Sequence, residues 1–595
     1  METLREEIFQ GIPASPGIVI GVARALARDF ENVQPDPISD PAAEIKAFRD
    51  VISTVKKSLE KTADLVLQRM GPEYARIFEA QVLIAGDEVW NKNIEERIAR
   101  EKVCAEYIYY DEATKVIRNL DQSRDAYLKE RIQDIQAVTA RLVGRLRGEK
   151  QMALKVGFDG PTVVVASYLS PGDILALSVR KNLGFVTAAG GPTSHAALMA
   201  KSLSVPAVIG LGPAADKINT SADIIIDGYK GLVVLNPSKQ TIKYYRNEIK
   251  SESNLKRQLA ELKTKPALTR DGAKIDVLAN IELPSEVIGV LASGASGIGL
   301  YRTEYLFLTR SSFPTFDEQY AAYSSILRKM KGMPVVIRTF DLGGDKFPDT
   351  GGQHFETNPF LGWRAIRFCL DRPEVFKIQL KALLMASTAG NLSIMIPMIS
   401  NLDEIIMTKK LLEECKEALR AENVKLAEKI PLGIMIEVPS AVMIADHLAR
   451  EVDFFSIGTN DLIQYTLAVD RDHQLISKLY QSFHPAVLQL IKMSVQAAHR
   501  HKLKVSVCGE MAGDPLAAVL LIGLGVDELS ATFQTAGILK KIVTSISRSG
   551  AKKIAEKALE MKSDAEIVQY TKNEVARLFP EIMPVIHFAR RNSDA

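Results

Sequence analysis

A histidine that follows a Gly-Gly turn is the residue whose position in this sequence most favours covalent chemistry. His195 lies in the stretch GGPTSHAALMAKSL, beside two hydroxyl residues and at the start of a helix-like run. A helix N-terminus attracts a phosphoryl group, and a neutral imidazole is a competent nucleophile near neutral pH. The alternative is a helix-capping Ser or Thr followed by a structural histidine, which the motif alone does not exclude.

A second set of reactive side chains follows short apolar runs in the second half of the chain. Arg302 and Arg338 each end such a run and could clamp a phosphate and a carboxylate with forked donors. Glu437 and Asp461 carry oxygen ligands suited to Mg²⁺, which takes one or two carboxylates together with phosphate oxygens. Each residue taken singly has an ordinary explanation as a salt-bridge partner or helix cap. Their accumulation at the ends of the runs indicates one site.

Other polar residues at the ends of the apolar runs extend this set. Asn280 and Asn460 each follow one, and Arg471 lies between two aspartates that could simply pair with it. Cys508 follows the run VSV, where a buried small apolar residue is the commoner explanation for a lone cysteine. Beside arginines and a metal, its thiol could instead give or take a proton at carbon.

The elements that must position these residues are predicted by eight short apolar runs with helical stretches between them. Eight strands alternating with helices over some 300 residues favour a closed (β/α)₈ barrel, in which catalytic groups lie at the C-terminal ends of the strands. An open, doubly wound sheet is the alternative. The runs are Ile275–Ala279, Ile298–Tyr301, Val335–Ile337, Ile394–Pro397, Gly433–Ile436, Phe454–Ile457, Val505–Val507 and Glu528–Ser530.

The first half of the chain predicts an α/β domain that is interrupted by helices. The stretch GIPASPGIVIGVARAL is typical of strands, and strand-like runs return at residues 162–166, 207–209 and 224–226. Between them, residues 41–148 show apolar residues at helical spacing, which predicts an inserted helical bundle. Residues 239–264 are charged and compatible with a linker helix.

Composition excludes several classes of function. The 595 residues carry a formal net charge of +3, which points neither to nucleic acid nor to an anionic membrane. Four widely spaced cysteines form no zinc or disulfide pattern, and the sequence contains no apolar run long enough for a transmembrane helix. Because the N-terminus also lacks an apolar signal core, we expect a cytoplasmic protein.

The sequence resembles, nearly end to end, the Enzyme I family of the bacterial phosphotransferase system, whose members transfer phosphate from phosphoenolpyruvate to a protein. The resemblance implies a multidomain α/β fold, with a swivelling phosphohistidine domain, an inserted helical bundle, a linker helix and a C-terminal (β/α)₈ barrel. The motifs that carry it are GIPASPGIVIG, LKERIQDIQAVTARL, GGPTSHAALMAKSL, GIGLYRTEYLF, VIRTFDLGGDK, NPFLGWRAIR, GIMIEVPSAV, FFSIGTNDLIQYTLAVDR, HPAV and CGEMAGDP.

The resemblance also implies a role for each candidate residue. His195 would be phosphorylated on Nε2 and would pass the group to a histidine of the carrier protein HPr, the first step of sugar phosphotransfer. Glu437 and Asp461 would bind Mg²⁺, and Cys508 would protonate the enolate to give pyruvate. The implied phosphoenolpyruvate-binding residues are Arg302, Arg338, Asn460, Asp461, Arg471 and, as a further barrel arginine, Arg364.

Domain boundaries and assembly follow from the same resemblance. The phosphohistidine domain would comprise residues 1–30 and 150–237, and the inserted HPr-binding domain residues 31–149. Residues 238–266 would form the linker helix, 267–580 the phosphoenolpyruvate-binding barrel and 581–595 a C-terminal tail. A homodimer through the barrel is implied, and we expect the hinge for domain motion near residues 235–265. The sequence shows no N-terminal sensor domain, which is known from the nitrogen-regulatory branch of the family. We therefore expect that the protein does not belong to that branch.

Some positions depart from the family pattern. Lys201 stands where an arginine is common, and Tyr168 where an acid is often found; Phe340 and the pair Asp472-His473 also differ. These departures keep open a phosphoenolpyruvate-binding regulator without turnover. A dikinase is the other alternative, but it needs an ATP-binding domain, for which the helical insert is too small and too poor in glycine.

Overall fold

The computed structural model describes the chain except for residues 1–4, 27–32, 71, 122–125, 149–159, 170, 179, 181, 192–193, 309–311, 344–357, 472, 474 and 587–595. The contacts between residues divide the chain into two compact units, with the boundary between Ser251 and Glu252. No helix in the described part is both long enough and apolar enough to cross a membrane.

The sixteen described strands form two sheets of eight strands, one in each unit, and helices connect most of the strands. The strands are β1 Glu7–Gln10, β2 Ile12–Ser15, β3 Ile18–Leu26, β4 Thr162–Ala166, β5 Leu183–Thr187, β6 Ala207–Ile209, β7 Asp223–Asp227, β8 Leu232–Leu235, β9 Asp276–Ile281, β10 Ile298–Tyr301, β11 Pro334–Arg338, β12 Asn391–Ile396, β13 Leu432–Ile436, β14 Phe454–Ile457, β15 Lys504–Val507 and β16 Glu528–Thr532. The helices are α1 Pro41–Met70, α2 Pro72–Ala85, α3 Glu88–Glu101, α4 Ala105–Asp121, α5 Ala126–Leu146, α6 Pro171–Ser178, α7 His195–Ser202, α8 Lys239–Leu262, α9 Val287–Ser293, α10 Tyr305–Leu308, α11 Phe316–Lys329, α12 Ile366–Asp371, α13 Pro373–Ala386, α14 Leu402–Ala421, α15 Pro439–Met443, α16 Ala445–Leu448, α17 Thr459–Leu467, α18 Pro485–Arg500, α19 Pro515–Leu524, α20 Ala536–Ser545, α21 Arg548–Ala558 and α22 Asp564–Leu578.

The sheet of the first unit is assembled from both sides of a long insertion. Its strand order is β1-β8-β7-β3-β4-β5-β6-β2. β3 pairs directly and in parallel with β4, although the inserted helices separate the two strands in the sequence. The neighbours β3, β4, β5 and β6 run parallel, whereas β1, β2 and β7 pair antiparallel with their neighbours. The predicted α/β domain with strands on both sides of a helical insertion is therefore present.

The central strands bury side chains on both faces, as the continuous run TVVVA of β4 predicts. Val164 and Phe185 point into the core that also contains the buried residues of the inserted helices and of α7. Val163 and Val186 point into a second core on the opposite face, formed with β7 and β8. Alternation of side chains along a strand produces this division, because successive Cβ atoms leave opposite faces of the sheet.

The described residues of the insertion between β3 and β4 form five helices, α1 to α5. Its helices break where the sequence places Gly-Pro and Gly-Asp, between α1 and α2 and between α2 and α3. Asp87 caps α3 by accepting a hydrogen bond from the Trp90 backbone N–H. Arg97 of α3 then forms ion pairs with Asp111 and Glu112 of α4, at 2.8 and 2.6 Å, so that these two helices are joined by charge as well as by apolar packing.

The second unit contains a closed barrel of eight parallel strands. β9 to β16 follow one another in order, and β16 pairs with β9 from Glu528–Asp276 to Thr532–Asn280, which closes the circle. The predicted barrel is confirmed, and the open doubly wound sheet is excluded. All eight strands coincide with or overlap the predicted apolar runs.

The barrel unit also holds the C-terminal end of α8. Leu255 is buried in the barrel core, and Lys540 of α20 donates hydrogen bonds from Nζ to the carbonyl oxygens of Leu262, Lys263 and Lys265, at 3.3, 2.9 and 2.8 Å. A cation at a helix C-terminus satisfies carbonyls that have no partner within the helix and interacts favourably with its dipole. This part of the predicted linker is therefore fixed to the barrel.

Candidate active site

Two buried arginines at the C-terminal end of the barrel share one carboxylate. Arg338, the last residue of β11, places Nη1 2.9 Å from Asp341 Oδ2. Arg364 reaches the other oxygen of the same carboxylate, Oδ1, with Nη2 at 2.7 Å and Nε at 3.2 Å. Glu304 accepts a second hydrogen bond from Arg338, from Nη2 at 2.8 Å. Both guanidinium groups are therefore held in fixed orientations before any ligand binds.

The electrostatics of this group follow from its burial. Although burial favours the neutral acid, Arg338 and Arg364 hold the pKa of Asp341 below its ordinary value, so the carboxylate stays charged. For the two arginines burial opposes the charged form, but the surrounding carboxylates raise their pKa. For Glu304 burial is the dominant effect and raises its pKa. The cations are therefore stable in a place where water does not screen them.

Arg364 reaches the barrel end on an irregular segment that the structure holds in place. Gly343 and Arg364 form an isolated bridge, and a Cβ at Gly343 would lie 2.4 Å from Arg364 Cβ, so only glycine permits this approach. Ala365 has a positive φ of 50°. Tyr465 of α17 accepts a hydrogen bond from Arg364 Nη1 at 3.2 Å and donates one to the Phe360 carbonyl oxygen at 2.6 Å. Tyr465 thereby connects the guanidinium to the segment that carries it.

Glu437, which follows β13, is fully buried and only half satisfied. Its Oε1 accepts a hydrogen bond from the Met398 backbone N–H at 2.6 Å, while Oε2 has no hydrogen-bond partner among the described residues. Burial, with Asp461 and Asp341 next in effect, raises the pKa of Glu437 well above its ordinary value. A Cβ at Gly458 would lie 2.6 Å from Oε2, so that the neighbouring strand end leaves room for this oxygen only because residue 458 is glycine.

The start of α17 supplies the polar residues of the next strand end. Asp461 lies in the first turn, with Oδ2 3.8 Å from Arg364 Nη2. Burial and Asp341 raise the pKa of Asp461, and the charges of Arg364, Arg338 and Arg471 act in the opposite direction. Asn460 is tied to the following strand end, because its amide donates to Glu510 Oε1 at 3.0 Å and accepts from the Glu510 backbone N–H at 2.8 Å.

Arg302 is more exposed than Arg338 and Arg364. It follows β10 and pairs with Glu282 Oε1 at 2.5 Å, with about a third of its side chain exposed. Because this partner is itself more than half exposed, the pair lies in water and is weaker than those of Arg338. The ion pair of Arg302 is therefore more easily exchanged for a ligand than those of Arg338 and Arg364.

Cys508 lies inside the barrel, directly after β15. Its thiol is buried against Leu300, Met395 and Met435, and it accepts a hydrogen bond from Ser456 Oγ at 3.2 Å. Burial raises the pKa of Cys508 to about 11, so it remains a protonated thiol at neutral pH. The amide of Asn280 donates to the Cys508 and Ser530 carbonyl oxygens, at 2.9 and 3.2 Å, and so joins neighbouring strand ends.

The carboxylates at this end fit a hard cation with few protein ligands. No group of three or more His, Cys, Asp or Glu side chains capable of holding a metal occurs within the described ranges. Mg²⁺ requires only one or two carboxylates when substrate and water oxygens complete its shell. The unpartnered, buried Oε2 of Glu437, together with the nearby Asp461, matches this requirement.

His195 lies in the first unit, as the first residue of α7. Ser194 precedes it in an extended conformation and caps the helix, its Oγ accepting from the Ala197 backbone N–H at 3.3 Å. The predicted helix start is thus present, and so is the cap of the alternative reading. Lys201 lies exposed in the last turn of α7, and Tyr168 lies half-buried after β4.

The structure also contains functional candidates that sequence reasoning did not name. Asp341 contacts both Arg338 and Arg364. Tyr465 contacts Arg364, and Ser456 contacts Cys508. Gln379 of α13 joins two strand ends, donating to Thr303 Oγ1 at 3.4 Å and accepting from the Phe340 backbone N–H at 3.1 Å. Phe340 is buried in the core, so its departure from the family pattern affects packing. Only Asp341 carried a signal in the sequence, as an acid close after a strand.

Comparison with known families covers most of the chain. Residues 10–131 match the N-terminal domain of PEP-utilising enzymes, residues 158–231 match their mobile domain, and residues 256–548 match their PEP-binding domain. The three matches follow the insertion, the first sheet and the barrel unit in order.

Individual proteins resemble the chain over its whole length. A phosphoenolpyruvate-protein phosphotransferase of Bacillus subtilis is 40% identical over 564 residues, which cover 95% of this chain and 99% of the relative. One from Geobacillus stearothermophilus is 40% identical over 575 residues, covering 96% and 98%. Among solved structures, an Enzyme I protein in solution is 32% identical, with a TM-score of 0.35, and covers 41% of this chain and 99% of its own.

Proposed function

The chain belongs to the phosphoenolpyruvate-protein phosphotransferase family, and on this premise we propose that it transfers the phosphoryl group of phosphoenolpyruvate to His195 and then to a histidine of the carrier HPr. Pyruvate is the second product. The observation that carries the proposal is the pair of buried arginines on Asp341 beside the half-satisfied Glu437. This arrangement suits a small substrate with a phosphate and a carboxylate.

Binding is the first step that the barrel residues perform. Arg338 and Arg364 present fixed donors toward the substrate phosphate, while Arg302 exchanges its exposed pair with Glu282 for a substrate oxygen. Asn460 and Arg471 complete the proposed binding set around the start of α17. Glu437 and Asp461 would hold Mg²⁺, which when bound supplies charge neutralisation to the phosphate and the enolate oxygen. Little of the catalysis is covalent, since phosphoryl transfer depends on positioning and on electrostatics.

Phosphoryl transfer then divides into a nucleophilic and an acid step. The imidazole of His195 attacks phosphorus, the bond from phosphorus to the enol oxygen breaks, and enolpyruvate leaves with that electron pair. Cys508 gives its proton to the terminal carbon, which completes pyruvate. The pKa of about 11 supports this role, because a thiol at that pKa carries its proton throughout the physiological range.

Assembly and location complete the proposal. A homodimer formed through the barrel and a cytoplasmic location agree with the family, and HPr would bind the inserted helices. The exposed apolar side chains Leu83 and Val89 on that insertion are compatible with a protein partner. The domain motion that lets one histidine serve two partners would leave residues 255–265 attached to the barrel, because Leu255 and Lys540 anchor them.

The test is phosphorylation of the full-length protein. We expect ³²P-labelled phosphoenolpyruvate with Mg²⁺ to label the wild type with an acid-labile, alkali-stable phosphohistidine, and added HPr to remove the label. A His195→Ala variant should remain unlabelled, whereas a His447→Ala control, which replaces an exposed barrel histidine, should label normally. Absence of label on His195 would refute the enzyme and favour a binding regulator. Labelling that requires ATP would favour a dikinase.

A further inference from the structure

Ser456 supplies a buried hydroxyl group that donates a hydrogen bond to the proposed acid, Cys508. Ser456 lies in the middle of β14 and is fully buried. Within the described part of the chain, the only hydrogen bond of its Oγ is the one donated to Cys508 Sγ, at 3.2 Å. A buried hydroxyl is held toward the group that satisfies it, and here that group is the thiol.

The surroundings of the thiol make this contact important. Cys508 packs against Leu300, Met395 and Met435, so apolar atoms enclose most of the sulfur. Its other polar neighbour is the Ile457 carbonyl oxygen, 3.7 Å from Sγ, which can only accept a hydrogen bond. Among the side chains that the structure describes, Ser456 is therefore the one that donates a hydrogen bond to the sulfur, and it can keep donating when the sulfur carries a negative charge.

We propose that Ser456 is a positioning residue for the acid step, which orients the Cys508 thiol and stabilises the thiolate that remains after proton transfer. In that step the S–H bond breaks and the C=C electron pair of the enolate takes the proton, so that a C–H bond forms at the terminal carbon and the enolate C–O bond becomes the C=O of pyruvate. The sulfur keeps the electron pair, and the Ser456 O–H bond to it becomes charge-assisted and stronger. The thiolate then recovers a proton from water. The inference rests on the proposed function, since it needs Cys508 to act on the enolate.

The neighbouring strand offers a matched control. Ser506 of β15 pairs in register with Ser456 and is also buried, but its hydroxyl points to the Phe455 carbonyl oxygen at 3.5 Å and not to the thiol. Replacing either serine by alanine removes one oxygen from the same layer of the barrel. A general loss of packing would affect both variants, whereas a role toward Cys508 affects only Ser456.

The experiment separates the acid step from phosphoryl transfer. Deuterium exchange from D₂O into the methyl group of pyruvate, followed by proton NMR on the full-length protein with Mg²⁺, reports proton transfer. Labelling of His195 by ³²P-phosphoenolpyruvate reports the other step. We expect Ser456→Ala to slow the exchange by roughly 10- to 100-fold, as for loss of a hydrogen bond to a charged group. Labelling and the KM for pyruvate should stay within about twofold of wild type.

Three further variants complete the design. Cys508→Ala sets the background rate of exchange, Ser456→Thr keeps the hydroxyl and should recover most of the wild-type rate, and Ser506→Ala should exchange normally. Exchange at the wild-type rate in Ser456→Ala would overturn the inference, as would an equal loss of exchange and labelling, which marks a structural role. Failure of the wild type to label His195 would instead refute the proposed function, and so the two failures are distinguishable.

Discussion

Both ends of the barrel carry ion pairs, but the pairs at the carboxyl end are buried and those at the amino end are more exposed. At the carboxyl end, Arg338 and Arg364 are about nine-tenths buried and share Asp341, and Glu437 Oε2 has no hydrogen-bond partner in the part of the chain that the structure describes. At the amino end, Lys504 pairs with Glu528 at 3.0 Å, and the Lys504 side chain is about two-thirds exposed. Further amino-end pairs include His499 with Asp527, at 2.9 Å, and Lys274 with Asp276, at 2.9 Å.

This difference shows which property identifies a site. Charge clusters of similar composition occur at both ends, so composition alone does not distinguish them. Exposed ion pairs contribute little to stability, and both of their charges have a partner or water. A buried charged group with an atom that has no partner costs free energy, which other interactions in the fold must offset. A protein retains such an arrangement where it performs chemistry. The four predictions that follow test this contrast.

Exchanging arginine and lysine at the two ends should give the largest contrast. Arg338→Lys keeps the charge but loses the fork that reaches Asp341 and Glu304 together. We expect kcat/KM for phosphoenolpyruvate to fall by about 10²- to 10³-fold, measured as HPr phosphorylation. The reciprocal variant Lys504→Arg at the amino end should stay within about twofold. Comparable losses in both variants would contradict the contrast.

Neutralising the buried carboxylate should separate activity from stability. In Glu437→Gln the amide oxygen can still accept from the Met398 N–H, but the buried charge is gone. Activity with Mg²⁺ should fall by roughly 10²-fold, while the metal-free unfolding temperature should rise by about 1–2 °C, because an uncharged group is cheaper to bury. Glu528→Gln at the amino end should retain activity. A Glu437→Gln protein that melts at a lower temperature than wild type would show that the carboxylate stabilises the fold.

Removing one hydroxyl beside Arg364 should have a smaller effect. Tyr465→Phe deletes the acceptor of Arg364 Nη1 and the donor to the Phe360 carbonyl oxygen. We expect the KM for phosphoenolpyruvate to rise by about two- to tenfold, as for loss of a neutral hydrogen bond, with kcat nearly unchanged. Steady-state kinetics measure both quantities, and Tyr570→Phe on α22 serves as the control. An unchanged KM would mean that Asp341 alone holds Arg364.

The smallest effect is expected at the amino end, on stability alone. Asp271 accepts hydrogen bonds from the Arg548 and Ser549 backbone N–H groups and from Thr269 Oγ1, and the Thr269 bond is the largest influence lowering its pKa. Asp271→Asn should lower the free energy of unfolding by about 1 kcal/mol or less at pH 7. Activity should be unchanged.

The acid dependence of the same variant gives a second check. Because the folded-state pKa of Asp271 lies below the unfolded value of about 3.9, its contribution is fully present above that value and disappears as the pH falls through the folded pKa. Denaturant titrations at pH 7 and below pH 4 should therefore show the difference between wild type and Asp271→Asn shrinking in acid. A difference in unfolding free energy that does not change with pH would mean that the charge of Asp271 is not the cause of the effect.

The barrel was predictable because its strands are buried on both sides. Such strands form continuous apolar runs, and Ile298–Tyr301 and Phe454–Ile457 have in the structure the bounds that the sequence predicts. The polar residues that follow them necessarily meet at one end of a parallel barrel. The grouping of Arg338, Glu437 and Asp461 therefore followed from local patterns alone.

The partners of those residues were not predictable in the same way. Ser456 was part of an apolar strand, and Tyr465 matched the apolar spacing of a helix, so neither stood out locally. Their importance depends on contacts with Cys508 and Arg364, 52 and 101 residues away. Asn280 stood out as a polar residue at a strand end, and in the structure its amide joins neighbouring strands.

The strand order of the first sheet dictates when the sheet can form during synthesis. Glu7 of β1 pairs with Leu235 of β8, 228 residues later, whereas α1 packs against α2 and α4 against α5, which are neighbours in the sequence. At about 5–20 residues per second, the ribosome needs roughly 10 to 45 seconds to supply the missing strands. The first strands must therefore wait, without pairing partners, while the insertion folds ahead of the sheet that carries it. A nascent chain stalled before β4 would expose these strand edges, which makes it the stage of biogenesis most in need of a chaperone.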